Sequence, residues 1–336
     1  MPDQYKRVLV TGGAGCIGMP VCRQLLETGC DVILFDLYEQ IRLVESKIDK
    51  DIEVYYGSVL DDSSIRDAIR GCDGVIHLAA YLGVRRTEIN NLRCLDININ
   101  GTRKVLDASV LSGVKKIVFA SSSEVYGEPL TNPVKETDLT QGKTVYAISK
   151  LAGEELIRAY SEEYRNLSYT NLRYFNTYGP NQIAQFVIPK FIRNVASDNP
   201  PIVYGNGMQQ RSYCYSTDTA QATVSALFND ASNDQVLNVG NSETLISLND
   251  LAEMVIELCG KDGKVSVMRK DGFAGTDRSA NREINVRYCD TSKAKEILEF
   301  EAKVSLRDGI KRVIKHGVIQ PKWATSERNY TIDDSL

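Results

Sequence analysis

Two side chains four residues apart, Tyr146 and Lys150, are the first pair in this sequence that could do chemistry. On a helix that spacing sets them on one face. An ammonium beside a phenol favours the phenolate and draws its pKa down from about 10. A tyrosine tuned in this way can take a proton from an alcohol while the carbon bearing it is oxidised. A bare Tyr-x-x-x-Lys is also common on ordinary surface helices. It gains weight from Ser121-Ser122-Ser123-Glu124-Val-Tyr-Gly127, which comes directly after an apolar run reading as a fifth strand. Sites in parallel sheets lie at such strand ends.

A second constellation sits near the N-terminus. Gly12, Gly15 and Gly18 form a Gly-x-x-Gly-x-x-Gly turn between a β-branched run and a helical pattern. Glycines there permit positive φ, let backbone approach a pyrophosphate and let the helix pack close to the sheet. The helix N-terminus adds N–H donors and partial positive charge. Asp36 ends the next strand, where a carboxylate would accept both hydroxyls of an adenosine ribose and repel a 2′-phosphate. No Arg follows it directly, so NAD is favoured over NADP. Alone, either feature could be structural; together they point to a dinucleotide.

The elements that must position these groups alternate. Strands are expected at 7–10, 32–35, 52–56, 75–78 and 117–120, with helices between them, including a long helical pattern over 91–112. Ile17, Val21 and Leu25 share a face of the first helix, Gly29 stops it, and Asp61-Asp62-Ser63-Ser64 caps a later one. Apolar strands interleaved with helices imply a doubly wound parallel sheet, an α/β (Rossmann) fold with right-handed crossovers. A long helix over 146–164 and a strand over 169–173 come next. Past Gly179-Pro180 the elements shorten, and the polar segment 269–285 reads as a mobile loop. The expected organisation is an NAD-binding domain over 1–180 and a smaller mixed α/β substrate lobe over 181–336, partly interwoven, with a cleft between.

Composition narrows the classes. The 336 residues carry 40 Lys+Arg against 44 Asp+Glu, a net charge of −4 without a basic block, which argues against nucleic acid. The most apolar stretch, 75–84, is half the length of a membrane span and holds His77. Met1 leads into polar residues and then a strand, so a signal peptide is not expected. Eight cysteines without a Cys-x-x-Cys pair, and only two histidines, do not make a zinc site. They read as reduced, packed thiols of a cytoplasmic protein.

Over nearly its whole length the chain resembles the extended short-chain dehydrogenase/reductase family, in its nucleotide-sugar epimerase/dehydratase branch. The motifs are Val8–Gly18 around the glycine turn, His77-Leu-Ala-Ala80, Asn98-Ile-Asn-Gly-Thr102, Ser122-Ser-Glu-Val-Tyr-Gly127, Tyr146–Lys150, Arg173-Tyr-Phe-Asn-Thr-Tyr-Gly-Pro180, Arg211-Ser-Tyr-Cys-Tyr-Ser-Thr-Asp218 and Asn238-Val-Gly240. The resemblance implies Tyr146 as catalytic base, Lys150 also on the nicotinamide ribose, and Ser122 on the reacting sugar oxygen. It assigns Gly12, Gly15, Cys16, Ile17, Gly18, Asp36, Ser58, Val59, Leu78, Ala79, Ala80, Asn98 and Tyr174 to a tightly bound NAD. It assigns Val84, Ser123, Asn176, Val187, Lys190, Tyr204, Arg211 and, less directly, Arg282 to a UDP-, GDP- or dTDP-linked sugar. An Arg facing two phosphates also fits the oxygens by its fork. His77 reads as a packed, hydrogen-bonded residue. The chain departs from the family at Ser58-Val59, where an Asp often meets adenine, and at Ser212 and Ser216-Thr217. In the family the helices matching 91–112 and 146–164 pair as a four-helix-bundle homodimer.

The fate of the 4-keto sugar differs among members of the branch. A 4-epimerase needs only Ser, Tyr and Lys. A 4,6-dehydratase uses Asp-Glu where this chain has Ser123-Glu124, which disfavours dehydration. Uronate decarboxylases show Thr-Ser-Glu there, close to Ser122-Ser123-Glu124. A dehydrogenase stopping at the 4-keto product, even on a GDP-heptose, is a fourth outcome; the resemblance implies that Tyr81-Leu-Gly-Val-Arg-Arg86 faces the sugar, where the two arginines could pair with an acidic or extended substrate, while solvated surface charges are the safer reading of them. Glu124 admits two readings: a carboxylate accepting turn N–H groups, or a catalytic group. Relatives that only sense cofactor or bind nucleic acid tend to lose the Tyr or Lys; this chain keeps both. The commonest outcome, 4-epimerisation, is the expectation.

Overall fold

The computed structural model describes residues 5–271 and 284–319. Strands β1 (Arg7–Thr11), β2 (Asp31–Asp36), β3 (Glu53–Tyr56), β4 (Gly74–His77), β5 (Lys116–Ser122), β6 (Ser168–Tyr174) and Gln235–Val239 form one seven-stranded sheet. Its order is β3-β2-β1-β4-β5-β6 and then Gln235–Val239, with every pairing parallel.

Successive side chains leave opposite faces of a strand, and each face has its own core. On one side Val8, Val10, Val32, Leu34, Ile76 and Val118 meet Val21 and Leu25 of the helix Gly18–Glu27 and Ala220 and Leu227 of the helix Ser216–Phe228. On the other, Leu9, Ile33, Val75, Ile117 and Phe119 meet Ile65 of Asp62–Ala68, Leu106 of Gly101–Ser112 and Ile157 of Val145–Glu163. Each fully buried Leu or Ile contributes roughly 1.5–3 kcal/mol, so both faces must be covered. The strand Gln235–Val239 and helix Ser216–Phe228 come after residue 180 yet join this first core.

A third core gathers the helices Val187–Ala196, Leu248–Leu258 and Leu306–His316 through Ile188, Phe191, Leu251, Val255, Ile310 and Val313. Beside it Gln210–Ser212 pairs with Leu245–Ser247 on one edge and Val286–Arg287 on the other.

Two local expectations change. The helical stretch 91–112 is broken: Asn91–Leu95 and Gly101–Ser112 flank a wide π-type turn over Asp96–Asn100. Such turns gather at functional sites, and this one carries Asn98. The segment 269–285 is not loop from its start, because Met268–Lys270 pairs in parallel with Ile202–Tyr204. Residues 272–283 lie outside the described residues. Among the described residues no helix is long and apolar enough to cross a membrane.

Candidate active site

β1 and β4 are sheet neighbours whose outgoing connections diverge, which opens a crevice at their carboxyl ends. The glycine turn lies there. Gly12 has φ +70°, and a Cβ on it would come within 2.7 Å of the Ala79 nitrogen. A Cβ on Gly18 would lie 2.3 Å from the Gly12 carbonyl oxygen and 2.6 Å from the Gly13 Cα. Only glycine fits either position. The N–H groups of Cys16, Ile17 and Gly18 meet no acceptor among the described residues, at a helix N-terminus that suits phosphate.

Asp36 closes this cradle. Its carboxylate accepts N–H bonds from Ala14 at 3.1 Å and Leu37 at 2.8 Å. Burial raises it to about 6 against the pull of those two bonds. The cradle and carboxylate together fit a dinucleotide. Nearby, Val59 packs on Gly101, whose Cβ would come 2.7 Å from Val59 Cγ2, while the Ser58 hydroxyl accepts the Leu60 N–H at 3.2 Å. Leu78 and Ala79 hang from Thr11 through its carbonyl and hydroxyl, at 3.0 and 3.3 Å, and Ala80 continues the same loop. Tyr174 ends β6 with its hydroxyl 2.7 Å from that of Thr223.

His77 is a buried connector. Its Nδ1 lies 2.6 Å from the Thr11 hydroxyl and its Nε2 3.0 Å from that of Thr102. The Thr102 hydroxyl donates to the Asn98 carbonyl at 2.6 Å, so it accepts from Nε2–H. Burial first, then the Lys150 charge, lowers His77 to about 3, and the ring stays neutral. Asn98 uses its whole amide on the protein. It accepts the Tyr81 N–H at 2.7 Å and donates to the Tyr81 carbonyl at 3.1 Å and the Ser149 hydroxyl at 2.9 Å. This fixes the loop after β4 to the helix carrying Tyr146.

That helix, Val145–Glu163, is capped by Thr144, whose hydroxyl accepts the Ala147 N–H at 3.0 Å. Ser122 ends β5 and accepts the Glu124 N–H at 3.2 Å. Ser123 is buried in the turn Ser123–Tyr126. Lys150, also buried, donates to the Ala120 carbonyl at 2.7 Å and lies 4.8 Å from the Phe119 ring centre.

Here the structure corrects the electrostatic expectation. The phenol is held above its usual range, by burial first and then by the Glu124 carboxylate. The Lys150 ammonium is turned onto β5 by its bond to the Ala120 carbonyl, and burial lowers it to about 8. Glu124 also departs from its structural reading: its carboxylate accepts from the Thr144 hydroxyl, at 3.2 Å, rather than from turn N–H groups.

Apart from Val84, the remaining expected residues lie past residue 175. Val187 opens its helix, and Lys190 stands 5.9 Å from the Tyr204 ring centre. Asn176, at φ +42°, donates to the Ser212 carbonyl at 2.9 Å. The Arg211 guanidinium donates to backbone carbonyls of Gln210, Ile284 and Asn285 at 2.6–3.2 Å. Arg282 lies outside the described residues, as does the side chain of Val84.

One residue had no signal in the sequence. Arg287 pairs in register with Arg211, is 5% exposed, and leaves Nε and Nη1 without a partner among the described residues. Burial and then Arg211 lower it to about 10, while Glu124 and Glu128 oppose that. Its planar fork matches the oxygens of a carboxylate or phosphate. Nothing in its neighbours Val286 and Tyr288 foretells this; only the pairing of strands far apart in sequence does.

Comparison with known proteins shows what the chain is similar to. The NAD dependent epimerase/dehydratase family matches residues 8–240. The UDP-N-acetyl-alpha-D-glucosaminuronate decarboxylase of Bacillus cytotoxicus is 34% identical, over 92% of this chain and 97% of its own. The UDP-glucuronate 4-epimerase of Thermodesulfobacterium geofontis is 31% identical, over 91% and 94%. Among solved structures, the Bacillus cereus UDP-glucuronic acid 4-epimerase in complex with UDP-glucuronic acid and NAD gives a TM-score of 0.83 at 27% identity, covering 92% of this chain and 98% of that one.

Proposed function

We propose a sugar-nucleotide 4-epimerase for this chain, which belongs to the NAD dependent epimerase/dehydratase family. It is an NAD-dependent enzyme of that type. The observation that carries the proposal is the joint placement of Ser122, at the carboxyl end of β5, and of Tyr146 and Lys150 on the helix Val145–Glu163, which the Lys150 bond to the Ala120 carbonyl at 2.7 Å ties to that strand.

Bound NAD would supply the hydride chemistry at C4 of the sugar. The turn at Gly12, Gly15 and Gly18 would receive its pyrophosphate, with the N–H groups of Cys16 and Ile17 as donors, and Asp36 its adenosine ribose. Tyr146 Oη takes the proton from the C4 hydroxyl and later gives it back, and Ser122 Oγ holds the same oxygen. Lys150 supplies positive charge to both. Lys190, Tyr204 and Arg211 would hold the nucleotide diphosphate from the second lobe, leaving the sugar free to turn over. UDP-sugars are the first candidates, since relatives are named for them. A homodimer through 91–112 and 146–164 is part of this reading, supported by the exposed Leu92 and Ile148. So is a cytoplasmic setting, supported by eight unpaired thiols.

Incubation with UDP-, GDP- and dTDP-linked sugars, with products read by mass spectrometry and NMR, tests the reading. An isomer of unchanged mass supports it. Loss of water or of two hydrogens in every active substrate overturns epimerisation in favour of a dehydratase or a dehydrogenase.

A second reading, decarboxylation of a nucleotide-linked uronate, is favoured by Arg287. Once C4 is a ketone, a C6 carboxylate is β to it and can leave as carbon dioxide. A buried, unpartnered guanidinium near Glu124 would seat that carboxylate. Loss of carbon dioxide in the same screen identifies it.

A further inference from the structure

The largest buried charges beside the catalytic helix have no part in the proton and hydride transfers at C4. Arg173 on β6 and Glu154 on the helix Val145–Glu163 pair with side chains 8% and 7% exposed. The contact is bidentate: Nε donates to Oε1 at 2.9 Å and Nη2 to Oε2 at 2.7 Å. Nη1 donates to the Tyr126 hydroxyl at 3.0 Å and the Glu136 carbonyl at 3.3 Å. The Tyr126 hydroxyl donates onward to Asn238 Oδ1 at 2.7 Å. Glu154 Oε1 accepts one more bond, from the Ser121 hydroxyl.

A buried ion pair adds little net stability, because desolvating two charges offsets most of their attraction, and apolar packing often does as well. What this pair adds is register. Ser121 immediately precedes Ser122, and Glu154 follows Lys150 by one helical turn, as Lys150 follows Tyr146. Lys150 on the Ala120 carbonyl and Glu154 on the Ser121 hydroxyl therefore bind consecutive residues of β5 to consecutive turns of the helix. The guanidinium ties the same point to β6, to the turn Ser123–Tyr126 and to Gln235–Val239.

We propose that Arg173 and Glu154 are positioning residues: they hold the Ser121–Ser122 end of β5 in register with the helix that carries Tyr146 and keep a compensated carboxylate one turn from Lys150. The inference rests on the reading of Tyr146 as base. The groups facing Lys150 are Tyr146 and Glu154 on its own helix, Cys94 from Asn91–Leu95, neutral His77 from β4 and the Phe119 ring from β5. Of these, Cys94 and Glu154 support the ammonium against burial.

The test compares two variants as full-length holoenzymes, with UDP-glucose and UDP-glucuronic acid as substrates. A second readout, independent of turnover, is the pH dependence of Lys150 acylation by acetic anhydride. Glu154→Gln keeps the shape and removes the charge. It should lower kcat roughly tenfold or more at unchanged KM, since small misplacements of reacting groups cost that much. The midpoint of Lys150 acylation should move to lower pH. Arg173→Lys keeps the charge and loses the fork. It should lower kcat while leaving that midpoint in place. Wild-type kcat or a wild-type midpoint in Glu154→Gln, whatever its thermal stability, overturns the proposal. If Glu154→Gln does not fold, wild-type kcat in Arg173→Lys overturns it instead. Tyr146→Phe runs alongside: if it retains turnover, the base assignment has failed rather than the positioning.

Discussion

Lys150 Nζ donates to the Ala120 carbonyl at 2.7 Å, while the Tyr146 ring, one helical turn earlier, has its centre 5.8 Å from the same nitrogen. The cation is oriented by the strand rather than by the phenol. Burial leaves it titrating at about 8.

That titration predicts a falling alkaline limb in the pH profile. Lys150 is lowered, so it is charged below about 8 and neutral above it. The phenolate that Tyr146 must form needs that charge, so kcat should decline as pH rises through about 8. Lys150→Met should abolish the limb along with most of the turnover. A kcat profile that stays flat past pH 9 (about one unit above the midpoint) would contradict the role.

Tyr146→Phe removes the proton acceptor and leaves the ring. Turnover should fall roughly 10²–10⁴-fold, the usual worth of a positioned acid–base group. NAD should remain bound, because the glycine turn and Asp36 lie on other elements. Heat release of the dinucleotide from purified variant and wild type checks both halves.

Much of this site could be read from the chain because it is local. The glycine turn needs only neighbours in sequence, and Tyr146 and Lys150 need only helical spacing. Asp36 needs only the end of a strand. The features that no local pattern carries are tertiary. The break in 91–112 arises from Asn98 reaching Tyr81 and Ser149, which helix periodicity does not record. The direction of Lys150 depends on a carbonyl thirty residues away. Met268–Lys270 becomes strand only because Ile202–Tyr204 lies beside it.

Asp36 predicts an acid limb in cofactor binding. With its carboxyl raised to about 6, it is ionised above that pH and protonated below. A protonated carboxyl no longer accepts from both ribose hydroxyls, so NAD affinity should weaken as pH falls from 7 toward 5. The sign for folding is opposite. A carboxyl raised above its unfolded value of about 4 gains stability as pH falls through that window. Titration calorimetry on the wild type and on Asp36→Asn checks this: the variant should bind NAD weakly and without the limb.

Gly18→Ala should be costly for a reason independent of the ligand. The added Cβ meets the Gly12 carbonyl and Gly13 Cα, both backbone, so nothing can swing aside. Overpacking of this kind costs about 1–3 kcal/mol and would push the turn out of shape. Gly29→Ala is the control: its Cβ meets nothing within 4 Å, and only its φ of +87° is strained. Thermal melts should separate the two, and NAD affinity should fall only in Gly18→Ala.

Arg287 makes a prediction in which stability and function move apart. A guanidinium buried with Nε and Nη1 unpartnered among the described residues carries a desolvation cost at those two atoms. Replacing it with Met keeps the bulk and removes the charge, so the melting temperature should hold or rise. If the group seats a carboxylate on the sugar, the same change should cut kcat/KM for UDP-glucuronic acid by roughly tenfold or more, equivalent to about 1.4 kcal/mol. UDP-glucose, lacking the carboxylate, should lose less. An unchanged ratio between the two substrates would remove Arg287 from sugar recognition, and the decarboxylase reading would lose the observation that favours it.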